Sequence, residues 1–414
     1  MDGSALGMPL SGIKVIEVGV AMAGPFCGMT LADYGADVIK IERPGTGDES
    51  RGWSPYFPGR VSYYFAAANR NKRSLAIDLK CPEGVAALKR LVESADVLID
   101  NYRVGALDKL GLGYDALAQI NPRLIYCSIS GFGPDGPRAH DRANDIFMQA
   151  FSGNMSITGE ENRGPVKAGI SIADVAAGMF GVIGVLLALQ SRNQTGKGQR
   201  IDTSLLEGQV AMLSYHLTSY FATGKVPVRR GAGSQLSVPY QAFQAKDDWV
   251  VVAAFTERMW QGVCRAIDHP EWADDERFSV SDRRAANRTT LIPMLEAEFA
   301  KRTVAEWVER LTGEGVPSTS VNSIDKVVVD EQVLKRDMIV ETEHPTAGKI
   351  RMAGLPVKLS NTPGSVRTPP PMLGEHSRGI LRQAGFGDDE IESMLAAGII
   401  GEPADAPAEQ EVAP

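Results

Sequence analysis

Cysteine is scarce in this 414-residue chain: Cys27, Cys81, Cys127 and Cys264 lie far apart, with no CxxC pair. That argues against a disulfide-stapled secreted domain and a cysteine-based zinc site, and points to a reducing compartment. The five histidines (His140, His216, His269, His344 and His376) are too scattered for HExxH or a related metal motif. Positive charge is not in excess either: 43 Lys+Arg stand against 51 Asp+Glu, a formal charge of −8, whereas a general nucleic-acid binder is usually basic. The opening MDGSALGMPL lacks the basic start and apolar run of a signal peptide. The most apolar stretch, Val175 to Leu189, is broken by Gly178, Gly181 and Gly184 and is shorter than the ~20 residues that cross a bilayer. It reads as a buried core helix. The expectation is a cytoplasmic protein with no metal, nucleic-acid or membrane partner.

What is present is an ordinary globular composition, 43% hydrophobic and 23% charged, long enough for two or three domains. The first half alternates strand and helix signals. Strands are expected at Ile13–Val20, Ala36–Ile41, Ser74–Leu79, Asp96–Ile99 and Leu124–Ser130. Helices are expected at Pro25–Tyr34, closed by Gly35, and after Pro82, with Val85, Leu88, Leu91 and Val92 on one face. Short buried-type strands separated by helices predict βαβ units and a parallel sheet, an α/β fold.

Thr223–Pro239, rich in Gly, Pro and polar residues, reads as a linker or loop. Beyond it Trp249–Ala254 reads as a strand, and Leu291–Phe299 and Val304–Leu311 as amphipathic helices. Lys349–Met352 and Leu355–Leu359 look strand-like, and a last helix is expected near Asp388–Ala397. The division is therefore residues 1–205 as the first part of a large domain and 206–224 as a linker. A small α+β domain follows at 225–325, then 326–400 as linker and carboxyl-terminal part of the large domain, and 401–414 as an acidic, Pro/Ala-rich disordered tail.

Gly131-Phe132-Gly133-Pro134-Asp135-Gly136 matches GxGxxG letter for letter. A dinucleotide fingerprint must open a helix, and the polar, turn-like Pro137–Arg142 follows instead, so a loop is favoured and nicotinamide is not expected. No GxxxxGK[ST] is present. Basic residues recur near strand ends (Arg43; Arg70, Lys72 and Arg73; Lys80; Lys109). Singly they read as solvated surface charge, but together they suit a polyphosphate outside the ends of a parallel sheet. Asp174 immediately precedes the apolar run. It reads either as an N-cap, worth about 1 kcal/mol, or as a carboxylate kept ionised by a helix N-terminus and available as a nucleophile. Position alone leaves both open.

The ordered set of blocks resembles the class III CoA-transferases, the family of formyl-CoA transferase and carnitine CoA-transferase. Those blocks are Gly12–Gly45 (GIKVIEVGVAMAGPFCGMTLADYGADVIKIERPG), Asn71-Lys72-Arg73-Ser74 with Asp78-Leu79-Lys80, and Asp100-Asn101-Tyr102 with Gly105-Ala106-Leu107. The Asp174 helix, Thr195-Gly196-Lys197-Gly198-Gln199 and Leu373-Gly374-Glu375-His376 complete it. The resemblance implies a Rossmann-like CoA-binding large domain, a smaller domain and an interlocked-ring homodimer. It implies acyl-CoA as co-substrate and a carboxylic acid as acceptor, with Asp174 as the covalent catalyst passing through an aspartyl anhydride and an aspartyl-CoA thioester. The CoA contacts would fall on Ala23, Arg43, Ile77, Lys80, Asn101, Tyr102, Lys109 and Arg142.

Met22 stands where formyl-CoA transferase has a glutamine at the acyl group, which argues against oxalate or formyl chemistry. Gly231 and Gly233, with Gln235, are the candidate loop shielding the anhydride from water. The segments around Arg229-Arg230-Gly231 and Val238–Phe243 look most like the dicarboxylate branch, with succinyl-CoA or a similar donor. The alternative within the fold is a 2-methylacyl-CoA racemase, which needs a histidine where this chain has Asn144; an amide is no general base near neutral pH. The alternative outside it is a non-catalytic CoA-binding or scaffold protein.

Overall fold

The computed structural model describes residues 7–234 and 237–403. Residues 404–414, most of the expected tail, lie outside them. The first half builds six strands: β1 (Lys14–Val18), β2 (Asp37–Glu42), β3 (Lys72–Ile77), β4 (Val97–Asp100), β5 (Ile125–Ser130) and β6 (Arg200–Ser204). They pair in the order 3-2-1-4-5-6, every pair parallel, and the short strand Ile400–Gly401 adds antiparallel outside β3. Because alternate strand residues point to opposite faces, Val15 and Val38 join one core while their neighbours Ile16 and Ile39 join the other.

Helices cover both faces: α1 (Ala23–Asp33), α2 (Tyr63–Asn69), α3 (Pro82–Val92), α4 (Tyr114–Ile120) and α5 (Asp145–Phe151). Pro82 opens α3, where a missing N–H costs nothing, and its Leu88, Leu91 and Val92 sit in the core that holds Ile16. The order of the sheet reverses between β1 and β4. Crevices outside the carboxyl ends of strands at such a switch point are where open parallel sheets bind ligands.

The Asp174 helix runs Ile172–Thr195, longer than the apolar stretch that announces it, and its 24 residues are long and apolar enough to cross a membrane by length and composition. Here its Ala173, Ala177, Val185 and Ala188 are buried with α1 and β5. The interrupting glycines mark close approaches. A Cβ at Gly178 would lie 2.8 Å from the Ala23 carbonyl oxygen, and one at Gly184 2.7 Å from Ile201 Cγ2. The opposite side leaves Met179, Ile183, Leu186 and Leu187 exposed.

A second compact unit gathers residues 153–168 and 215–330. Its three-stranded antiparallel sheet has Trp249–Ala253 in the centre, between Tyr240–Gln244 and Ser318–Ser320. Phe243, Trp260, Phe278, Phe299 and Trp307 fill its core. The 206–224 stretch is helical, Leu205–Leu213 and then Tyr215–Thr223, and the boundary between the two units falls inside it. Two sequence expectations need correction. Residues 153–168 group with the second unit, not the first. Leu355–Leu359 forms no strand; a short apolar run reads the same whether or not a sheet edge is free to pair with it.

Candidate active site

Asp174 is not the cap of its helix. Ser171 takes the N-cap place without a capping side-chain bond, and Asp174 lies in the first turn. The cap comes from elsewhere: Asp145 Oδ1 accepts the Ala173 amide hydrogen at 2.9 Å. Asp145 is itself steadied by Gln149 Nε2, which donates to its Oδ2 at 2.7 Å. Asn144 caps α5, its Oδ1 accepting from the Phe147 amide at 3.0 Å. On another side Tyr64, from α2, bonds Ser171 and feels the charges of Asp174 and Asp145.

No hydrogen bond reaches the half-buried Asp174 carboxylate among the described residues. Burial, and then the negative charge of Asp145, push it up to about 7. This corrects the expectation of a carboxylate held strongly ionised by a helix terminus: desolvation and a like charge outweigh the terminal dipole, whose contribution is typically below about 1 kcal/mol.

A cavity of about 210 Å³ opens beyond the ends of β2, β3 and β4, lined by Arg43, Ile77, Leu79, Lys80, Tyr102 and Leu107 among others. Its walls are mostly apolar, with Glu42 and Asp78 among them, and the exposed Arg43 and Lys80 stand at it with cationic heads. Four of the expected CoA contacts, Arg43, Ile77, Lys80 and Tyr102, thus meet in one place. Lys109 and Arg142 are exposed and do not line it. Asn101 joins the ends of β4 and β1, its side chain accepting from the Val20 amide and donating to the Val20 carbonyl, each at 2.9 Å. Ala23 is buried at the start of α1, directly after Met22.

Not every basic residue near a strand end is free for an anion. Lys72 is fully buried, 2.7 Å from Glu17 Oε2, with further bonds to the Pro25 carbonyl and Asn69 Oδ1 at 2.8 Å. Arg70 is buried against Asp33 at 2.7 Å. The surface-charge reading of these two is wrong. Gly131–Gly136 forms a loop that leads into turns, not a helix.

In the second unit Gly231, at φ 60°, donates its amide to the Gly159 carbonyl at 2.8 Å. Gly233 donates to the Arg230 carbonyl at 2.8 Å. A Cβ on Gly233 would lie 2.2 Å from Arg288 Nη2 and 3.0 Å from the Arg230 carbonyl oxygen, so a side chain there would displace the Arg288 guanidinium. Gln235 lies outside the described residues.

The sequence model of CoA-transferase family III matches residues 10–377. The chain belongs to that family, and it is a CoA-transferase. A succinyl-CoA:glutarate CoA-transferase of Mus musculus is 40% identical over 393 residues, 95% of this chain and 90% of that protein. A succinate–glutarate CoA-transferase of Agrobacterium fabrum is 38% identical over 381 residues, 91% of this chain and 95% of its own. In structure, a CAIB/BAIF family protein from Brucella suis superposes with a TM-score of 0.83 at 36% identity, over 92% of this chain and 100% of the other. Within the family fold, Asp145 and Tyr64 are the site neighbours that sequence reasoning missed. Asp145 carried one signal, a carboxylate directly after a cap-type asparagine; Tyr64 carried none.

Proposed function

We propose that the chain moves CoA from succinyl-CoA or a similar thioester to a dicarboxylic acid, with Asp174 as nucleophile. A carboxylate oxygen of Asp174 attacks the thioester carbon, the C–S bond breaks, and CoA leaves as thiolate with a mixed anhydride behind it. The thiolate then attacks the aspartyl carbonyl, which releases the donor acid and leaves an aspartyl-CoA thioester. The acceptor carboxylate repeats both steps in reverse order. The observation that carries this reading is the Asp174 carboxyl itself: half-buried, free of hydrogen bonds among the described residues and near half-ionised at neutral pH. Such a group is a stronger nucleophile than an ordinary carboxylate and is still substantially charged.

The cavity at β2–β4 suits the nucleotide end of CoA, with Tyr102 and the apolar walls for the base and Arg43 and Lys80 for phosphate. Ala23 and Asn101 would contact CoA nearer the thioester, and Lys109 and Arg142 would do so from the surface. The dicarboxylate acceptor is supported by the names of the relatives. Incubation with succinyl-CoA and a panel of carboxylic acids, with new thioesters identified by mass, tests the proposal. No transfer to any dicarboxylate would refute it.

The interlocked homodimer belongs to the same proposal. The exposed Met179, Ile183, Leu186 and Leu187 of the Asp174 helix support it, as do Ile146, Phe147 and Phe151 of α5. Large exposed apolar surface is what monomers rarely leave in water. Light scattering of the active species should give twice the chain mass. A cytoplasmic location is supported by four cysteines that are all free.

One observation favours the racemase as a second reading: a carboxyl near pH 7 is also a good general base. Against it, Asn144 is occupied as a helix cap and His140 is an exposed loop residue. In D2O with a 2-methylacyl-CoA and no acceptor acid, the transferase leaves the α-hydrogen in place, whereas rapid deuterium uptake identifies the racemase.

A further inference from the structure

We propose that Asp48 is a positioning residue that holds the loop after β1, and with it Met22 and Ala23, in register with the turn that displays Arg43. The inference rests on the reading that the thioester reacts beside Asp174.

The loop is gripped group by group. Lys40 Nζ donates to the Gly19 carbonyl at 2.9 Å. Asn101 holds both polar groups of Val20 at 2.9 Å. The Ala21 amide donates to both carboxylate oxygens of Asp48 at 3.2 Å. Ala21 sits at φ 61°, a left-handed conformation that alanine seldom adopts and that persists only when its surroundings impose it. The next two residues are Met22 and Ala23, where α1 begins.

On its other side Asp48 is tied to the turn that carries Arg43 and Glu42, two residues lining the cavity. It follows the turn after β2, where the Gly47 amide donates to the Arg43 carbonyl at 2.9 Å, and its own amide donates to Glu42 Oε2 at 3.0 Å. Arg51 clamps Glu42 through two bonds of 2.7 Å.

The carboxylate is no ligand group itself, since Asp48 is 2% exposed. Lys40 pairs with it at 2.9 Å, and Ser50 donates its amide at 2.9 Å and its hydroxyl at 2.7 Å. Burial works against its ionisation, but these partners hold it down at about 2. Lys40 continues to Glu17 at 3.0 Å and Glu17 to Lys72 at 2.7 Å, a buried lattice of two acids and two lysines with Asp48 at its loop end. Buried charges of this kind add little net stability and serve better to select one arrangement. The arrangement selected here is that of the loop.

The test uses the full chain and two substitutions. Asp48→Asn keeps the size and one acceptor oxygen but loses the charge facing Lys40. Ser50→Ala removes a donor to the same carboxylate without touching Ala21, so it reports general destabilisation. Single-turnover acylation of Asp174 is followed by mass, CoA affinity by calorimetry and stability by thermal melting. Asp48→Asn is expected to slow acylation by about tenfold or more, with the Kd for CoA within about threefold of wild type and Ser50→Ala within about twofold in rate. Wild-type acylation in Asp48→Asn, or an equal loss in Ser50→Ala, overturns the assignment.

Should Asp48→Asn not fold, Ala21→Gly loosens the gripped residue and keeps the lattice. Acylation is then expected to slow by about threefold at unchanged CoA affinity, and an unchanged rate overturns the proposal. Failure of the underlying reading is visible separately, because the wild type would then form no acyl-Asp174 at all.

Discussion

Asp145 acts on Asp174 in two ways: it caps the helix that carries Asp174, accepting the Ala173 amide at 2.9 Å, and its charge adds to burial in raising the Asp174 carboxyl to about 7. One side chain therefore bears both on where the Asp174 carboxyl stands and on when it is ionised.

Replacing Asp145 by Asn keeps an oxygen for the Ala173 amide and removes the negative charge. Acylation of the wild type should rise with pH through about 7, as Asp174 ionises. In Asp145→Asn the midpoint should move to lower pH, without returning to the ordinary carboxylate range because burial remains. Single-turnover rates between pH 5 and 9 check this; an unmoved midpoint would show that the charge of Asp145 is screened.

Asp174→Asn should cost at least about a thousandfold in transfer, with CoA binding retained, and should stabilise the fold at pH 8. The sign follows from linkage. A carboxyl at about 7 in the folded chain and about 4 in the unfolded chain binds more protons when folded, so its contribution to stability is full below pH 4 and is lost as pH rises through 7. Asparagine removes that loss, a gain of about 1–3 kcal/mol once solvent screening of a half-buried group is allowed for. In denaturant titrations the gap between the two proteins should be clearly smaller at pH 5 than at pH 8, and should close only as pH falls towards 4.

Gly28→Ala should destabilise by about 3 kcal/mol or more. The new carbon would lie 2.0 Å from Glu17 Oε2, which Lys72 holds at 2.7 Å in a fully buried pair. Neither partner can retreat without leaving a charge uncompensated. Urea unfolding measures the loss.

Arg43→Ala and Lys80→Ala should each raise KM for acyl-CoA by about tenfold and leave kcat nearly unchanged, since a phosphate contact is made equally in ground and transition states. The difference should shrink with added salt, because both side chains are exposed. If neither KM changed, the β2–β4 cavity would not be the phosphate end of the site.

The central strands were legible because parallel strands buried on both faces read as unbroken apolar runs, as in Val97-Leu98-Ile99 of β4. The same signal misled at Leu355–Leu359, where no sheet edge receives the run. Lys72 and Lys80 show the limit for charge. Both belong to a basic block at a strand end, yet one is sealed against Glu17 and the other stands at the cavity.

Sequence alone determined what depends on neighbours along the chain: the alternation of β and α elements, the apolar run behind Asp174 that reads as a core helix, and the ordered blocks that mark the family. Only the tertiary structure decided what depends on distance through space. That Asp145 rather than Asp174 caps the Asp174 helix, that Tyr64 stands beside it, and that burial and a like charge raise the Asp174 carboxyl to about 7 all follow from residues brought close by the fold. Desolvation and Coulomb energy follow spatial separation and solvent access, and neither is written in the order of residues.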